Sequence, residues 1–215
     1  MRDRINQDGK NVWYTEIGNG TPDMAGAMLQ ARVLDTAFVK GNLTAWINWQ
    51  FSGNNDFESL MKGNTPNKKY YGLKHFARYV RPGMQRIFTQ YSGDSVRVAA
   101  FKDPANGAIS IVLSNSRTTP VDVNLKLNGN SGNRTFRVFR TSETENTAEL
   151  ASINATSTAT VSLPANSIVT LYQGPAIPTM TNATAAPSTP LVKPAQHWDS
   201  SALRRAASVS YTHMT

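Results

Sequence analysis

The sequence predicts an α/β segment followed by an all-β domain, and three observations support this. The hydrophobic periodicity of residues 1–80 follows the order strand, helix, strand, helix. Residues 81–174 switch to short runs in which apolar and polar side chains alternate with period two. Residues 175–215 are rich in Pro, Ala and Thr and show no periodicity. We therefore divide the chain of 215 residues into three regions with these bounds.

The composition argues against several classes of protein. The chain has no cysteine, which excludes a disulfide framework and a thiolate metal site. Its net charge of +8 is spread along the sequence, whereas a nucleic-acid-binding protein usually concentrates basic residues on one face. No window approaches the roughly 20 apolar residues of a membrane span. None of the three histidines lies near another ligand type at metal spacing. We expect neither nucleic acid nor membrane as a partner, and no metal or cofactor.

The first region contains two predicted strand–helix pairs. Strands are predicted at 12–17 and 43–51, where bulky β-forming residues cluster. Thr21 is the predicted N-cap of the first helix, with Pro22 at the first helical position. The second helix is predicted over 68–80. The residues expected to face inward recur at helical spacing: Met24, Ala27, Met28, Ala31, Leu34 and Phe38 in the first helix, and Tyr70, Leu73, Ala77 and Val80 in the second.

The ends of these helices and the environment of the second one also follow from the sequence. Gly41 and Asn42 are expected to stop the first helix. The second helix carries a run of basic side chains, which we interpret as a solvated outer face: Lys68, Lys69, Lys74, Arg78 and Arg81.

Two strand–helix pairs form only part of a domain. Strand–helix–strand–helix with short links is the parallel α/β unit, and parallel sheets need cover on both faces. The N-terminal stretch MRDRINQDGK is polar and lacks the apolar run of a signal peptide. We therefore expect the first region to be the last part of a larger α/β domain.

The second region predicts an antiparallel β-sandwich. Turn residues such as Asn106-Gly107 separate its alternating runs, and Arg81-Pro82-Gly83 is expected to form a tight turn where the region begins. The predicted strands are 95–101, 108–114, 121–127, 135–140, 158–163 and 167–172. The third region, 175–215, cannot bury enough apolar surface to fold and is predicted to be a linker or disordered tail.

Glu16 is the candidate catalytic residue because of its place at the end of a strand. In a regular strand, Val12, Tyr14 and Glu16 share one face. Functional groups of parallel α/β folds collect at the carboxyl ends of strands, and Tyr14 is the aromatic neighbour of this carboxylate. A solvated glutamate at a loop edge is the equally weighted alternative.

The end of the second strand supplies groups suited to a sugar. Trp49 offers a flat aromatic face, while Gln50 and Asn48 offer amides that can hydrogen-bond hydroxyl groups. Trp46 and Trp49 are three residues apart, so they point to opposite faces of a strand and only one of them can face the interior. The alternative is that both tryptophans merely fill the core.

Five segments of the sequence resemble the C-terminal part of glycoside hydrolase family 30. They are VWYTEIG, TAWINWQ, YYGLKHFARYVRPGMQRI, SVRVAAFKDPANGAISIVLSNS and ATVSLPANSIVTLY, and together they cover roughly residues 10–174. The resemblance implies the last two strand–helix units of a (β/α)8 barrel followed by a β-sandwich. It also implies that the preceding part of the barrel is the missing partner of this segment, and that the protein is secreted.

The resemblance implies a retaining glycosidase with two carboxyl groups about 5–5.5 Å apart. Glu16 matches the family's nucleophile, and Trp49 matches an aromatic residue that lines the sugar subsite. Tyr14 and Gln50 complete the expected substrate-binding set. The family's acid/base glutamate follows an asparagine at the fourth strand and has no counterpart here, and Asp56 and Glu58 do not replace it. We therefore expect this chain to be inactive alone.

The substrate implied by the resemblance is a β-linked polysaccharide: xylan, or a β-1,6-linked glucan or galactan. Family members specific for glucuronate-bearing xylan carry a basic residue just after the eighth strand, where this chain reads QFSGNNDF. A neutral polysaccharide is therefore at least as well supported. The alternative function is a non-catalytic carbohydrate-binding β-sandwich module, which would expose coplanar aromatic rings on one sheet face. Most sandwich aromatics are expected to point inward.

Overall fold

A computed structural model describes residues 7, 9, 11–91, 93–129 and 132–177. By its internal contacts the chain divides into two units, Met1–Ile177 and Pro178–Thr215. All helices and strands given below belong to the first unit. Nearly all of the predicted linker or tail, residues 178–215, lies outside the described residues, so that prediction stays untested.

The secondary structure begins with helices and strands in alternation and ends with strands only. The first part contains β1 (Trp13–Ile17), α1 (Met24–Asp35), a π-helical turn (Thr36–Lys40), β2 (Ala45–Asn48), β3 (Met61–Lys62), β4 (Thr65–Pro66) and α2 (Lys68–Ala77). The second part contains β5 (Gln85–Ile87), β6 (Val96–Lys102), β7 (Ile109–Asn115), β8 (Val121–Lys126), β9 (Arg134–Thr141), β10 (Ala148–Ala155), β11 (Thr158–Leu163) and β12 (Ser167–Gln173).

The second part is a β-sandwich with two sheets of unequal size. Its large sheet has six strands in the order β10-β9-β12-β7-β6-β5, and its small sheet pairs β11 with β8. All of these neighbours are antiparallel. The core between the sheets includes Val98, Leu113, Phe136, Leu163 and Leu171. The predicted β-sandwich is thus present.

The large sheet is buried on its other face as well, by the two helices. Residues that alternate with the sandwich core, such as Ala99, Phe101 and Ile168, pack in a second core with Leu34 of α1 and Phe76 of α2. Because both of their faces are covered, β6, β7 and β12 are almost continuously buried, including polar side chains such as Arg97, Ser110 and Thr170.

The helix α1 starts later than the sequence predicted. Its N-cap is Asp23, whose carboxylate accepts a hydrogen bond from the Gly26 N–H at 3.2 Å. The Thr21 hydroxyl donates to the same carboxylate at 2.6 Å, so neither Thr21 nor Pro22 has its predicted role. The predicted helix stop is confirmed, because Asn42 adopts a left-handed φ of 56° after the π-helical turn.

The predicted inner face of the second helix is confirmed at Leu73 and Val80, which pack against the second core, and is wrong at its other positions. The buried residues are Lys69, Gly72, His75 and Phe76, whereas Ala77 is exposed. Gly72 lies directly on α1, where an added Cβ would meet the Ala27 carbonyl oxygen at 2.8 Å. The prediction failed because buried polar residues with partners occupy positions that a hydrophobic pattern assigns to the outside.

Two of the basic residues of α2 are not on a solvated face, which corrects another prediction. The side chain of Lys69 is 1% exposed. The Lys68 ammonium group donates to the Ser142 carbonyl oxygen at 2.7 Å, the Glu145 carbonyl oxygen at 3.1 Å and the Asn146 Oδ1 at 2.8 Å. Lys68 therefore ties the start of α2 to the connection between β9 and β10.

The sequence predicted the turn before the sandwich and six of its strands correctly. The Arg81-Pro82-Gly83 turn is present, with the Met84 N–H donating to the Arg81 carbonyl oxygen and Gly83 at φ 92°. The six predicted sandwich strands match β6, β7, β8, β9, β11 and β12 within one residue at each end. The strand β10 was missed, because a register shift between Leu150 and Ile153 interrupts its alternation of apolar and polar side chains. The strand β5 and the β3–β4 hairpin are too short to give a pattern.

A buried ion pair connects α1 to the large sheet. The Arg97 guanidinium donates to the Asp35 carboxylate at 2.9 Å and to the Asp94 carboxylate at 3.1 Å. The side chains of Arg97 and Asp35 are almost fully buried.

Replacing Arg97 should strongly destabilise the fold. Arg97→Leu leaves the Asp35 carboxylate buried without its partner, so we expect the free energy of unfolding to fall by about 3–5 kcal/mol. Arg137→Leu is the matched control, since Arg137 pairs with Glu149 at the surface, where an ion pair contributes about 0–1 kcal/mol. Urea unfolding measures both. Equal losses in the two variants would contradict this account.

His75 should make stability depend on pH. Its Nδ1 lies 2.7 Å from the Thr170 hydroxyl and its Nε2 lies 2.8 Å from the Thr141 hydroxyl. Burial, with a smaller contribution from Lys74, lowers the pKa of His75 from 6.5 to about 3. Between these values the unfolded chain binds a proton that the folded chain does not, so stability falls as the pH falls.

Relative to the His75→Gln variant, wild type should lose about 1.4 kcal/mol of stability per pH unit below pH 6.5. Urea unfolding at several pH values between about 4 and 7 measures this difference. A constant difference between the two proteins over that range would show that His75 is not held neutral.

Candidate active site

The carboxyl ends of β1 and β2 lie side by side. The two strands are parallel, with Trp13 opposite Ala45 and Tyr14 opposite Trp46. Beyond β2 the Trp49 N–H still donates to the Ile17 carbonyl oxygen at 2.7 Å. Gly18 lies against this junction, because an added Cβ would come within 1.4 Å of the Trp49 carbonyl oxygen. The loops that follow Glu16 and Trp49 therefore start in direct contact.

An irregularity in β1 changes the face on which Glu16 lies. Tyr14 is opposite Trp46 and Ile17 is opposite Asn48, so Thr15 and Glu16 together oppose the single residue Ile47. Such a bulge shifts the alternation by one residue. Glu16 thus shares a face with Ile47 and not with Tyr14.

This face of the two strands is open among the described residues. Trp13 is 61% exposed, and Ile47 and Trp49 are each 49% exposed. Glu16 is exposed beside them. Within the described part of the chain, no side chain hydrogen-bonds or ion-pairs with the Glu16 carboxylate. Glu16 and Trp49 are thus both exposed near the carboxyl ends of two neighbouring parallel strands.

Tyr14 lies on the opposite face, which corrects the prediction that it shares a face with Glu16. Its ring stacks on that of Trp46 with centroids 5.3 Å apart. Trp46 packs against the core formed by the helices and the large sheet. The bulge is the physical reason, and no feature of the sequence indicated it. Trp46 and Trp49 do point to opposite faces, as their spacing predicted.

Gln50 is held mainly through its backbone. Its N–H donates to the Glu58 carbonyl oxygen at 3.1 Å, and its carbonyl oxygen accepts from the Leu60 N–H at 3.0 Å. Its half-buried side chain packs against Gly53, where an added Cβ would meet the amide nitrogen at 2.5 Å. Asn48 is not available to a ligand in the way expected, because its Oδ1 accepts a hydrogen bond from Gln30 of α1.

The loop after β2 has an acidic and aromatic surface. Phe51 and Phe57 are exposed, and Phe51 lies edge-on to Tyr70 at 6.4 Å. Asp56 forms an exposed ion pair with Lys62 at 3.4 Å. Lys69 reaches this loop from α2, and sequence reasoning missed it because a lysine on a helix is usually solvated.

Neither a metal-binding cluster nor a membrane-spanning helix occurs among the described residues. No group of three or more His, Asp or Glu residues there could hold a metal ion. No helix in that part of the chain is long and apolar enough to cross a membrane.

Comparison with known proteins identifies the β-sandwich. Residues 83–171 match the profile of the glycosyl hydrolase family 30 beta sandwich domain. In this part the chain resembles the C-terminal region of glycoside hydrolase family 30. The fold of a GH30 endoxylanase from Clostridium papyrosolvens C71 is similar over 80% of this chain and 44% of that chain, with a TM-score of 0.71 and 26% sequence identity.

Two curated proteins share segments of sequence with this chain. The glucuronoxylanase XynC of Bacillus subtilis (strain 168) is 30% identical over 133 residues, which are 58% of this chain and 31% of that protein. The endo-beta-1,6-galactanase of Hypocrea rufa is 31% identical over 119 residues, or 51% of this chain and 22% of that protein. The chain thus spans about a third or less of the curated relatives it matches.

The contact between Gly18 and Trp49 gives a direct test of the strand junction. Gly18→Ala places a methyl group where the Trp49 carbonyl oxygen lies, so the backbone must shift. We expect it to lower the free energy of unfolding by at least the roughly 1–3 kcal/mol typical of overpacking. Gly132→Ala is the control, since an added Cβ there meets no atom within 4 Å. If Gly18→Ala is as stable as wild type, the close contact between Gly18 and the Trp49 carbonyl oxygen is contradicted.

Proposed function

We propose that this chain is the C-terminal part of a retaining glycoside hydrolase that cleaves a β-linked polysaccharide, with Glu16 as its nucleophile. The observation that supports this most directly is the register of the parallel strands β1 and β2: Glu16 lies near the carboxyl end of β1, Trp49 directly follows β2, and the bulge in β1 assigns Glu16 to the face of the exposed Ile47. Family 30 membership of the sandwich, and relatives named xylanase and galactanase, support the same reaction class.

The chemistry of such a site divides between two carboxyl groups. The Glu16 carboxylate attacks the anomeric carbon of the sugar and forms a covalent glycosyl-enzyme. A second carboxylic acid protonates the departing oxygen and then activates the water that releases the sugar. Trp49 offers its ring to the C–H face of a sugar unit, and the Gln50 amide can hydrogen-bond its hydroxyl groups.

We further propose that β1 and β2 are the last two strands of a (β/α)8 barrel. Parallel strands are normally covered on both faces, yet here Trp46 packs against the second core while Tyr14 beside it is 46% exposed, and the face that holds Trp13 and Ile47 is open. The preceding strands would cover that face and supply the acid/base residue. Free edges of β1 and β2 would also make the isolated segment prone to aggregate.

The acids near the site do not replace the missing acid. Asp35 is buried with Arg97, and Asp23 caps α1. Asp56 pairs with Lys62 in the loop after β2. None of these three carboxyl groups is free to protonate a leaving group, and Glu58, half-buried in the same loop, lies outside the position that the resemblance assigns to the acid/base residue.

The chain alone should not hydrolyse polysaccharide. Incubation of wild type and Glu16→Gln with glucuronoxylan, arabinoxylan and β-1,6-galactan, followed by measurement of new reducing ends, tests this. We expect no hydrolysis by either protein, since only one of the two required carboxyl groups is present. Hydrolysis by wild type that disappears in Glu16→Gln would disprove the proposed inactivity while supporting the role of Glu16.

A chimera tests the role of Glu16. The barrel strands that precede the matched segment in the Clostridium papyrosolvens endoxylanase would be joined to residue 11 of this chain. An active chimera should lose activity with Glu16→Gln. With Glu16→Ala, azide should restore cleavage and give a glycosyl azide of inverted anomeric configuration, because azide attacks from the nucleophile's side. An active chimera that keeps its activity without Glu16 would reject the proposal.

The local charges favour a neutral polysaccharide. The loop after β2 carries Asp56 and Glu58, and its neighbouring cations are already engaged: Lys62 by Asp56, and Lys69 by backbone carbonyl groups. A glucuronate side chain would meet no available cation in this loop. We therefore propose an unsubstituted or neutrally substituted xylan, or a β-1,6-linked polymer, as the substrate, and secretion as the consequence of acting on a polymer outside the cell.

The structure gives less support to a carbohydrate-binding module. Phe101, Phe136, Phe139 and Tyr172 are buried, and among the described sandwich residues Phe88 is the one large aromatic that is mostly exposed, at 83%. One ring does not make the coplanar platform expected of such a module. Retardation of the chain in a xylan gel would favour this alternative.

A further inference from the structure

Lys69 is a buried cation whose partners come from both loops of the candidate site. Its ammonium group donates to the Gly20 carbonyl oxygen at 2.8 Å, in the loop after β1. It also donates to the Asp56 and Phe57 carbonyl oxygens, each at 2.7 Å, in the loop after β2. All three ammonium protons are thereby used, which is what a buried lysine requires.

Two glycines make room for the stem of this lysine. An added Cβ at Gly26 would lie 3.0 Å from the Lys69 Cγ, and one at Gly20 would lie 3.6 Å from its Cδ. Gly20 also has a φ of 99°, which a residue with a side chain rarely adopts. Both glycines thus border the stem of Lys69 where it crosses from α2 to the two loops, although the atom nearest to an added Cβ at Gly26 is the Thr21 carbonyl oxygen, at 1.8 Å.

The backbone held by Lys69 is the same backbone that holds Gln50. Asp56, Phe57 and Glu58 present three consecutive carbonyl groups: the first two accept from Lys69 and the third accepts from the Gln50 N–H. The Leu60 N–H returns a hydrogen bond to the Gln50 carbonyl oxygen. Lys69 thus restrains the backbone of residues 56–58, and this segment in turn restrains Gln50 and its neighbour Trp49.

The other partner of Lys69 leads back to the candidate nucleophile. Gly20 is four residues after Glu16, in the loop that begins with Gly18. Gly18 in turn lies against the Trp49 carbonyl oxygen. The contacts therefore close a ring that runs from the Glu16 strand through Trp49 and Gln50 to Lys69 and back.

We propose that Lys69 is a positioning residue that fixes the loops after β1 and β2 against each other, and so sets the arrangement of Glu16 relative to Trp49 and Gln50. This inference rests on the proposed function for its meaning in catalysis. Its structural content concerns only the geometry of the two loops, and that content can be measured without a sugar.

Lys68 provides a matched control. It is adjacent in sequence, lies in the same first turn of α2 and also donates to three oxygen atoms. Its partners, however, belong to the connection between β9 and β10. Replacing either lysine with methionine removes one charge and three hydrogen bonds, but only Lys69→Met should loosen the candidate site.

Hydrogen exchange and fluorine NMR on the full chain test the proposal. In Lys69→Met, we expect the Gln50 and Leu60 amides to exchange at least about tenfold faster than in wild type. Without the Lys69 hydrogen bonds, the loop segment that protects these amides should open more often. The resonance of fluorotryptophan at position 49, assigned with Trp49→Phe, should shift or broaden. In Lys68→Met these signals should stay unchanged, and the Thr147 amide, which donates to Thr141, should exchange faster instead.

Other outcomes would overturn the proposal. Unchanged exchange at Gln50 and Leu60 in Lys69→Met does so, as does the same change in both variants, which would indicate general destabilisation. If Lys69→Met does not fold, Lys69→Arg decides, since a planar guanidinium cannot direct three donors to the same carbonyl groups. It should also raise exchange at Gln50 and Leu60, and wild-type protection there would contradict the proposal.

The failure of this inference can be told apart from the failure of the proposed function. An active chimera that does not need Glu16 would remove the function while leaving a measured effect of Lys69 on the loops intact. Conversely, a chimera that depends on Glu16, together with loops that do not respond to Lys69, would remove the inference alone.

Discussion

The structure depends on one sheet that is buried on both of its faces. In β6, β7 and β12, one set of side chains packs in the sandwich core while the alternate set packs against α1 and α2. The burial of apolar surface on both faces fixes the helices against the sandwich, since roughly 25 cal/mol is gained for each Å² removed from water. Trp46 of β2 packs against the second core and Gln30 of α1 hydrogen-bonds Asn48, so the sheet indirectly positions β2 and, through it, the paired strand β1.

Apolar side chains provide most of this packing, and buried polar residues add specific hydrogen bonds between the helices and the sandwich. Buried or half-buried hydrogen bonds connect the helical part to the sandwich at three places: between Arg97 and Asp35, between His75 and two threonines, and at Lys68. Groups of this kind are costly to bury and therefore tolerate few alternative arrangements. Lys69 is also a buried polar residue, but its ammonium group hydrogen-bonds the loops after β1 and β2 and not the sandwich.

The sequence revealed the order of elements well and the details of the site less well. Period-two runs identified six sandwich strands, and helical periodicity identified α1 and α2, because burial of one face leaves a direct trace in the pattern. The bulge at Thr15 and Glu16 leaves none, since it depends on how β1 pairs with β2. Lys69 and His75 were missed for a different reason: their burial is compensated by partners far away in the sequence, which a local pattern cannot contain.

The claim on which the account depends is that Glu16 attacks the sugar. Trapping the covalent intermediate tests it most directly. The chimera would be treated with a xylobiosyl fluoride that carries a second fluorine next to the anomeric carbon. Fluoride leaves without an acid, while the second fluorine slows release of the bound sugar. Peptide mass spectrometry should find the sugar on the peptide that contains Glu16. A stoichiometric label on any other residue would contradict the account.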